Sequence, residues 1–262
     1  SLVTVNITAE IDGAAPSFGE RQANTETTGE QAESDVAYLD DGGFVIVWRS
    51  YNQDDATANY GVYGQRFDAN GNAVDAEFLV NTNVAGSQYN PTVTGLDTGG
   101  WAVSWRDDSG ADGSGSGIFM QRFNSDGSLA GTETQVNTYS ASTQHEPDIT
   151  VLANGDYVVT WTSWNNTAAG GSGYDIWAQV YQSGGAAIGT EFLVNTENSG
   201  TQDQPAISAP EALAASAPLP RAIPASRQPG GPRPAPPPRR RPCGAGGCRC
   251  RAGRHRCCDA RV

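Results

Sequence analysis

Lysine does not occur in the 262 residues, methionine occurs once and histidine twice. All five cysteines, Cys243, Cys248, Cys250, Cys257 and Cys258, lie after residue 242. Everything before them has neither a disulfide framework nor thiol chemistry, so its stability must come from packing or bound ions. No run approaches the ~18–20 apolar residues of a membrane span, and no basic segment followed by an apolar one opens the sequence. The chain reads as soluble and as a piece of something longer. Positive charge is scarce in residues 1–208, which carry 27 acids and five arginines, a net −22; residues 209–262 carry two acids and 11 arginines, a net +9. So acidic a body repels nucleic-acid phosphates and anionic lipid, which excludes nucleic acid as a partner, and cations are its natural counter-charge. Enzyme signatures are missing as well: there is no GxSxG elbow, no P-loop and no HExxH. His145 sits in a QHEP connection, where it reads as a solvated loop residue.

What is present is a repeat of about 57 residues. VNT recurs at Val80, Val136 and Val194, with a degraded copy at Ala23, and a glutamine follows each in turn at Gln31, Gln88, Gln144 and Gln202. The aromatic runs FVIVWRS, WAVSWRD and YVVTWTS place Trp48, Trp105 and Trp161 in register; a second run recurs as YGQRF, FMQRF and WAQVY. Each unit predicts four strands rich in Val, Ile, Thr and aromatics, separated by Gly, Asn, Asp and Ser clusters. Both faces of the second strand are apolar in places: Trp101, Val103 and Trp105 on one side in the second unit, Val45 and Val47 on the other in the first. Such strands need cover on both sides, which stacked four-stranded sheets provide. The expected fold is therefore all-β, with tandem four-stranded antiparallel blade-like units forming a partial β-propeller; the alternative is an open array of stacked β-sheets. Residues 1–33 are expected to end a preceding repeat, and 34–208 to hold three complete repeats and the start of a fourth. Residues 209–262, rich in Ala, Pro, Arg and Cys and without an aromatic, predict a disordered tail with the composition of an out-of-frame reading.

The loops between second and third strands carry the candidate site residues. Asp54 and Asp55 lie in SYNQDDATANYG, and Asp107, Asp108 and Asp112 in DDSGADGSGSG. Oxygen-rich, glycine-flexed loops suit calcium, a hard cation that takes six to eight oxygen ligands, and calcium is the expected cofactor. Trp48, Trp105 and Trp161 fall mid-strand and read as core, whereas Tyr51 and Trp164 fall just beyond the second strand and are the candidate ligand-binding aromatics. Arg66 and Arg122 are expected to pair with acidic neighbours.

The combination GFVIVW, YGVYGQRFDANGNAV and EFLVNT, followed by glutamine and then by Pro91, Pro147 or Pro205, resembles the tandem repeats of large secreted bacterial proteins of the RTX, or hemolysin-type, calcium-associated class. The resemblance implies an extracellular, secreted or cell-surface setting and adhesion to a glycan or protein; the RTX nonapeptide itself is absent. The expected function is thus a non-catalytic binding, adhesion or structural repeat module of a secreted bacterial protein, not an enzyme. The alternative is a fragment of a propeller-type glycan-binding or glycan-hydrolysing enzyme. What separates the two is whether carboxylates and arginines converge at one mouth of the ring.

Overall fold

β-branched and aromatic residues build the strands, and glycine and asparagine turn them. The computed structural model describes residues 4–5, 21–54, 59–166, 173–197 and 200–208, all within the unit Ser1–Ala215. Asp55, most of the segment before residue 21 and all of 209–262 fall outside the described residues. Two short strands, β1 (Thr4–Val5) and β2 (Arg21–Gln22), pair with each other. Three four-stranded antiparallel sheets follow. The first blade is β3 (Gln31–Tyr38), β4 (Phe44–Tyr51), β5 (Tyr60–Phe67) and β6 (Ala73–Leu79). The second is β7 (Gln88–Gly95), β8 (Trp101–Asp107), β9 (Gly117–Phe123) and β10 (Thr134–Gln135). The third is β11 (Gln144–Val151), β12 (Tyr157–Trp164), β13 (Tyr174–Tyr181) and β14 (Ala187–Leu193). Each blade is an up-and-down meander in sequence order, and β3, β7 and β11 line a common axis, as their shared cleft shows. The chain is a partial β-propeller of blade-like units.

The turns follow from their residues. The expected reversals between third and fourth strands form at Asp68–Asn72 and Asn124–Ser128, with Gly71 and Gly127 at φ 72° and 87°, a region open to glycine without steric cost. The inner strands begin at Gln31, Gln88 and Gln144, and a bulge interrupts each of them. The register slips between Ala32 and Asp35, between Tyr89 and Thr92, and between His145 and Asp148.

Packing explains the repeated aromatics. Trp101, Val103, Trp105, Phe119 and Phe123 of the second blade pack on Val45, Val47, Val62 and Val80 of the first. Tyr157, Val159, Trp161, Trp177 and Tyr181 of the third pack in the same way on Ala102, Ile118, Met120 and Val136 of the second. Each aromatic face thus buries itself against the aliphatic face of the blade before it, at ~25 cal/mol per Å² of apolar surface covered. Trp48, Trp105 and Trp161 are fully buried, as expected of core.

The VNT…Gln motif is a polar latch. Asn81 Oδ1 accepts from Val62 N–H at 2.8 Å, and its amide donates to Asn83 O at 2.9 Å and to Gln88 Oε1 at 3.3 Å. Asn137 repeats this with Ile118, Tyr139 and Gln144, and Asn195 with Ile176, Glu197 and Gln202. The glutamine of the third strand does similar service: Gln65, Gln121 and Gln179 donate to backbone carbonyls where the third and fourth strands part. A glutamate in the fourth strand, or in the second blade immediately before it, then ties each unit to the segment that precedes it. Glu133 accepts from Thr82 N–H at 2.6 Å, Glu191 from Thr138 N–H at 2.6 Å, and Glu77 from Thr25 N–H.

Candidate functional site

One end of the blades, where second strands finish and first and third strands begin, gathers the reactive side chains. Its geometry starts from the bulges. Glu33, Asn90, Glu146 and Gln204 hold φ between 50° and 54°, a left-handed conformation that costs about 1–3 kcal/mol for such residues. The last three each precede a proline, Pro91, Pro147 and Pro205. The four residues line one cavity of about 390 Å³ on the common axis, together with Asp35. Carboxylates there also bind the next unit: Glu33 accepts from Asn90 N–H at 2.8 Å, Asp35 from Val93 N–H at 2.8 Å, Glu146 from Gln204 N–H at 3.1 Å and Asp148 from Ile207 N–H at 2.7 Å.

Around this cavity, the first two blades form a charged aromatic belt. Arg49 bridges Glu30 at 2.9 Å and Glu33 at 3.0 Å, with its guanidinium 4.6 Å from the Tyr60 ring and 5.4 Å from the Tyr89 ring. Arg106 lies 5.6 Å from the Tyr89 ring and chelates Asp108 at 2.6 and 2.8 Å. Tyr51 tilts against Tyr60 at 5.0 Å, and Tyr60 against Tyr89 at 5.4 Å. The third blade has a different belt, in which Trp164 meets Tyr174 at 4.5 Å and His145 stands edge-on to Tyr174 at 4.8 Å.

Environment divides the acids. Tyr60 O–H donates to Glu30 at 2.9 Å; that bond, with Arg49, holds the Glu30 carboxyl below its ordinary range, and the same bond raises the tyrosine against the pull of Arg49. Burial pushes Asp35 upward, and the charge of Asp148 pushes the same way; burial raises Asp148 itself. His145 is lowered by burial, against the opposing pull of Glu146.

The two ligand-binding aromatics predicted from sequence, Tyr51 and Trp164, occupy equivalent positions at this end, in the first and third blades. The acidic residues do not gather: Asp107 accepts from Ser109 N–H at 2.7 Å and Gln88 at 3.2 Å, Asp108 is taken by Arg106, and Asp112 accepts from Ser114 N–H at 3.1 Å. Asp54 lies against Gly61. Among the described residues no three His, Cys, Asp or Glu side chains form a metal-binding group. Arg66 pairs with Asp41 at 2.5 Å as expected, whereas Arg122 reaches the Ser183 carbonyl of the next blade at 3.3 Å instead of an acid. His145 is a half-buried strand residue, not a solvated loop residue, because Tyr174 covers it. Sequence reasoning missed Arg49, Glu33 and Glu146; only for Glu146 was a signal available, the proline that follows the bulge at Pro147 as at Pro91 and Pro205.

No family model matches the sequence, and no curated protein does. Among solved structures the chain is similar to an endo-arabinase from Bacteroides thetaiotaomicron VPI-5482, at 16% identity and TM-score 0.44, over 68% of this chain and 70% of that one. It is similar to the α-L-arabinofuranosidase Arb93a from Fusarium graminearum at 10% identity and TM-score 0.45, over 67% of this chain and 55% of that one. A Hadza microbial sialidase, Hz136, shares 10% identity at TM-score 0.46, over 63% of this chain and 37% of that one. The chain therefore spans little more than half of the arabinofuranosidase and about a third of the sialidase. None of these three is an RTX-associated protein. The RTX resemblance, the reading as a non-catalytic adhesion module and the exclusion of enzymes are accordingly corrected. The physical reason lies in the motifs that suggested them: the aromatic strands, the VNT asparagine and the following glutamine are buried framework, which any chemistry at the mouth can share. No helix among the described residues is long and apolar enough to cross a membrane.

Proposed function

We propose that the chain is part of a propeller-type glycan-active enzyme that holds its ligand at the bulged mouth. The observation that carries this reading is the convergence there of Glu30, Glu33, Asp35 and Glu146 with Arg49 and Arg106, rimmed by Tyr51, Tyr60, Tyr89 and Trp164. Aromatic faces suit the C–H faces of sugar rings, and guanidinium and carboxylate groups suit their hydroxyls. Glycoside hydrolysis needs one carboxyl that carries a proton to the leaving oxygen and one carboxylate that activates water or attacks the sugar. The mouth holds both kinds, since burial keeps Asp35 toward its protonated form while Tyr60 and Arg49 keep Glu30 ionised.

The test is a panel of soluble oligosaccharides, arabino-oligosaccharides among them, scored for binding by calorimetry and for release of reducing sugar. Binding that Arg49→Ala weakens, and turnover that Asp35→Asn and Glu30→Gln each remove, are the expected results. A folded chain that neither binds nor cleaves any member of the panel would reject the reading.

A further inference from the structure

The outward face of the third blade differs from the same face of the blades before it. Val80 and Val136, at the VNT motif of the first two units, are 0% and 2% exposed, each sealed under the aromatic strand of the following blade. Val194, the third copy, is 49% exposed. Phe78 of the first blade packs on Trp101 and Phe123 of the second at 6.1 and 5.3 Å; its counterpart Phe192 is 47% exposed. What should lie against this face has already begun to arrive. Gln204 N–H donates to Glu146 and Ile207 N–H to Asp148, just as Asn90 and Val93 donate to Glu33 and Asp35 where the second blade joins the first. Residues 204–207 thus occupy the place of an inner strand, in the register of β7.

We infer that the face made by Ile188, Phe192 and Val194 is a docking surface for the second to fourth strands of a further unit of this same repeat. The occupant's chemistry is set by the interface of the first two blades: a second strand of the W-x-V-x-W type, whose tryptophans enter the aliphatic face while a third-strand aromatic packs at a tilt on the fourth-strand phenylalanine. Residues 209–262 contain no Phe, Tyr or Trp and so do not supply that strand. Three exposed apolar side chains, Ile188, Phe192 and Val194, on a face that the following blade covers in the first two units mark an interaction surface rather than scattered surface residues.

The experiment inserts a copy of residues 95–137 between Ser208 and Ala209 of the full chain, which continues the seated strand in phase. Thermal unfolding is compared for the parent, the extended chain and the Phe192→Asp variant of each. The expected result is a higher melting temperature for the extended chain than for the parent. Phe192→Asp should leave the parent unchanged and remove most of the gain from the extended chain. An extension without a gain, or one indifferent to Phe192→Asp, overturns the proposal. So does concentration-dependent self-association of the parent that Phe192→Asp abolishes, because a second copy would then be the occupant.

Discussion

The framework of the blades and their mouth are built on the same 57-residue frame yet vary in opposite ways. At framework positions the three units agree: Trp48, Trp105 and Trp161; Asn81, Asn137 and Asn195; Gln65, Gln121 and Gln179. One to three residues further along the same strands, at the mouth, the units disagree. Arg49 and Arg106 give way to Thr162, the position of Tyr51 and Trp164 holds Asp108 in the second unit, and Tyr89 is matched by His145 and Asp203. A buried position is fixed by what surrounds it in every unit, since each blade meets the next through the same surface. A mouth position faces solvent or ligand and is free to differ. Divergence within a repeat therefore marks where function can sit, and here it marks the belt of Arg49, Tyr60, Tyr89, Arg106, His145 and Trp164.

The comparison breaks most visibly with one tryptophan from each class. Trp105→Ala should destabilise the chain by about 3–5 kcal/mol, because it empties the interface between the first two blades. Trp164→Ala should move stability by no more than about 0.5 kcal/mol, since that ring is partly exposed at the rim. Chemical denaturation of both variants checks the pair; equal losses would erase the distinction between framework and mouth. Ligand binding sharpens it from the other side. Arg49→Ala removes contacts to Glu30, Glu33, Tyr60 and Tyr89 together and should weaken glycan binding roughly tenfold or more, or about 1.4 kcal/mol. Trp164→Ala should weaken it less, by about 0.5–1 kcal/mol, as the loss of one stacking face. A larger effect from Trp164 would move the centre of the site to the third blade.

Calcium offers a smaller effect. The proposal that it binds the loop between β8 and β9 rests on Asp112, which is buried and has one carboxylate oxygen without a hydrogen bond among the described residues, as does the hydroxyl of Ser116. At ten times its dissociation constant a ligand of the folded state adds about 1.4 kcal/mol. Calcium should thus raise the melting temperature more than sodium chloride at matched ionic strength, and Asp112→Asn should cancel the difference. Equal responses to the two salts would leave the loop an ordinary turn, held by Ser109, Ser114 and Arg106.

Much of the framework was legible in the sequence because its causes are local and repeated. Alternation puts Trp105 inside, and asparagine-glycine clusters close the hairpins. The mouth was legible only in part. Tyr51 and Trp164 could be placed by their distance from the buried tryptophan, but nothing local shows that Arg49 reaches Tyr89 of the next unit, 40 residues on. That contact depends on how blades stack, and on bulges whose left-handed residues, Glu33, Asn90 and Glu146, have no special composition. The grouping of the acids depends on the backbone in a similar way. Runs such as Asp107-Asp108 look like one chelating cluster, yet in a strand successive side chains point to opposite faces, so Asp107 is buried beside Gln88 while Asp108 turns to Arg106.

Asp107 also supplies the finest test of the comparison, because it is a framework position where one unit departs from the other two. Ser50 and Ser163 hold the equivalent buried sites, whereas the second blade places a carboxyl there. Burial raises its pKa above the ordinary 3.8, more than its bonds from Ser109 and Gln88 lower it. Between 3.8 and that raised value the folded chain binds more protons than the unfolded one, so stability falls as pH rises through this window and is regained as pH falls towards 3.8. Asp35 and Asp148 act in the same direction. Glu30, Asp41 and Asp68, whose pKa values are lowered, act oppositely, and their contribution is lost only as pH falls below the ordinary carboxylate range. Asp107→Asn keeps an acceptor for Ser109 and removes the titration. It should match or exceed the parent in stability near neutrality and gain less than the parent on acidification to about pH 4.5. Urea midpoints at about pH 7, 5.5 and 4.5 measure this, and a variant whose midpoints run parallel to the parent's across that range would show that Asp107 titrates as an ordinary aspartate.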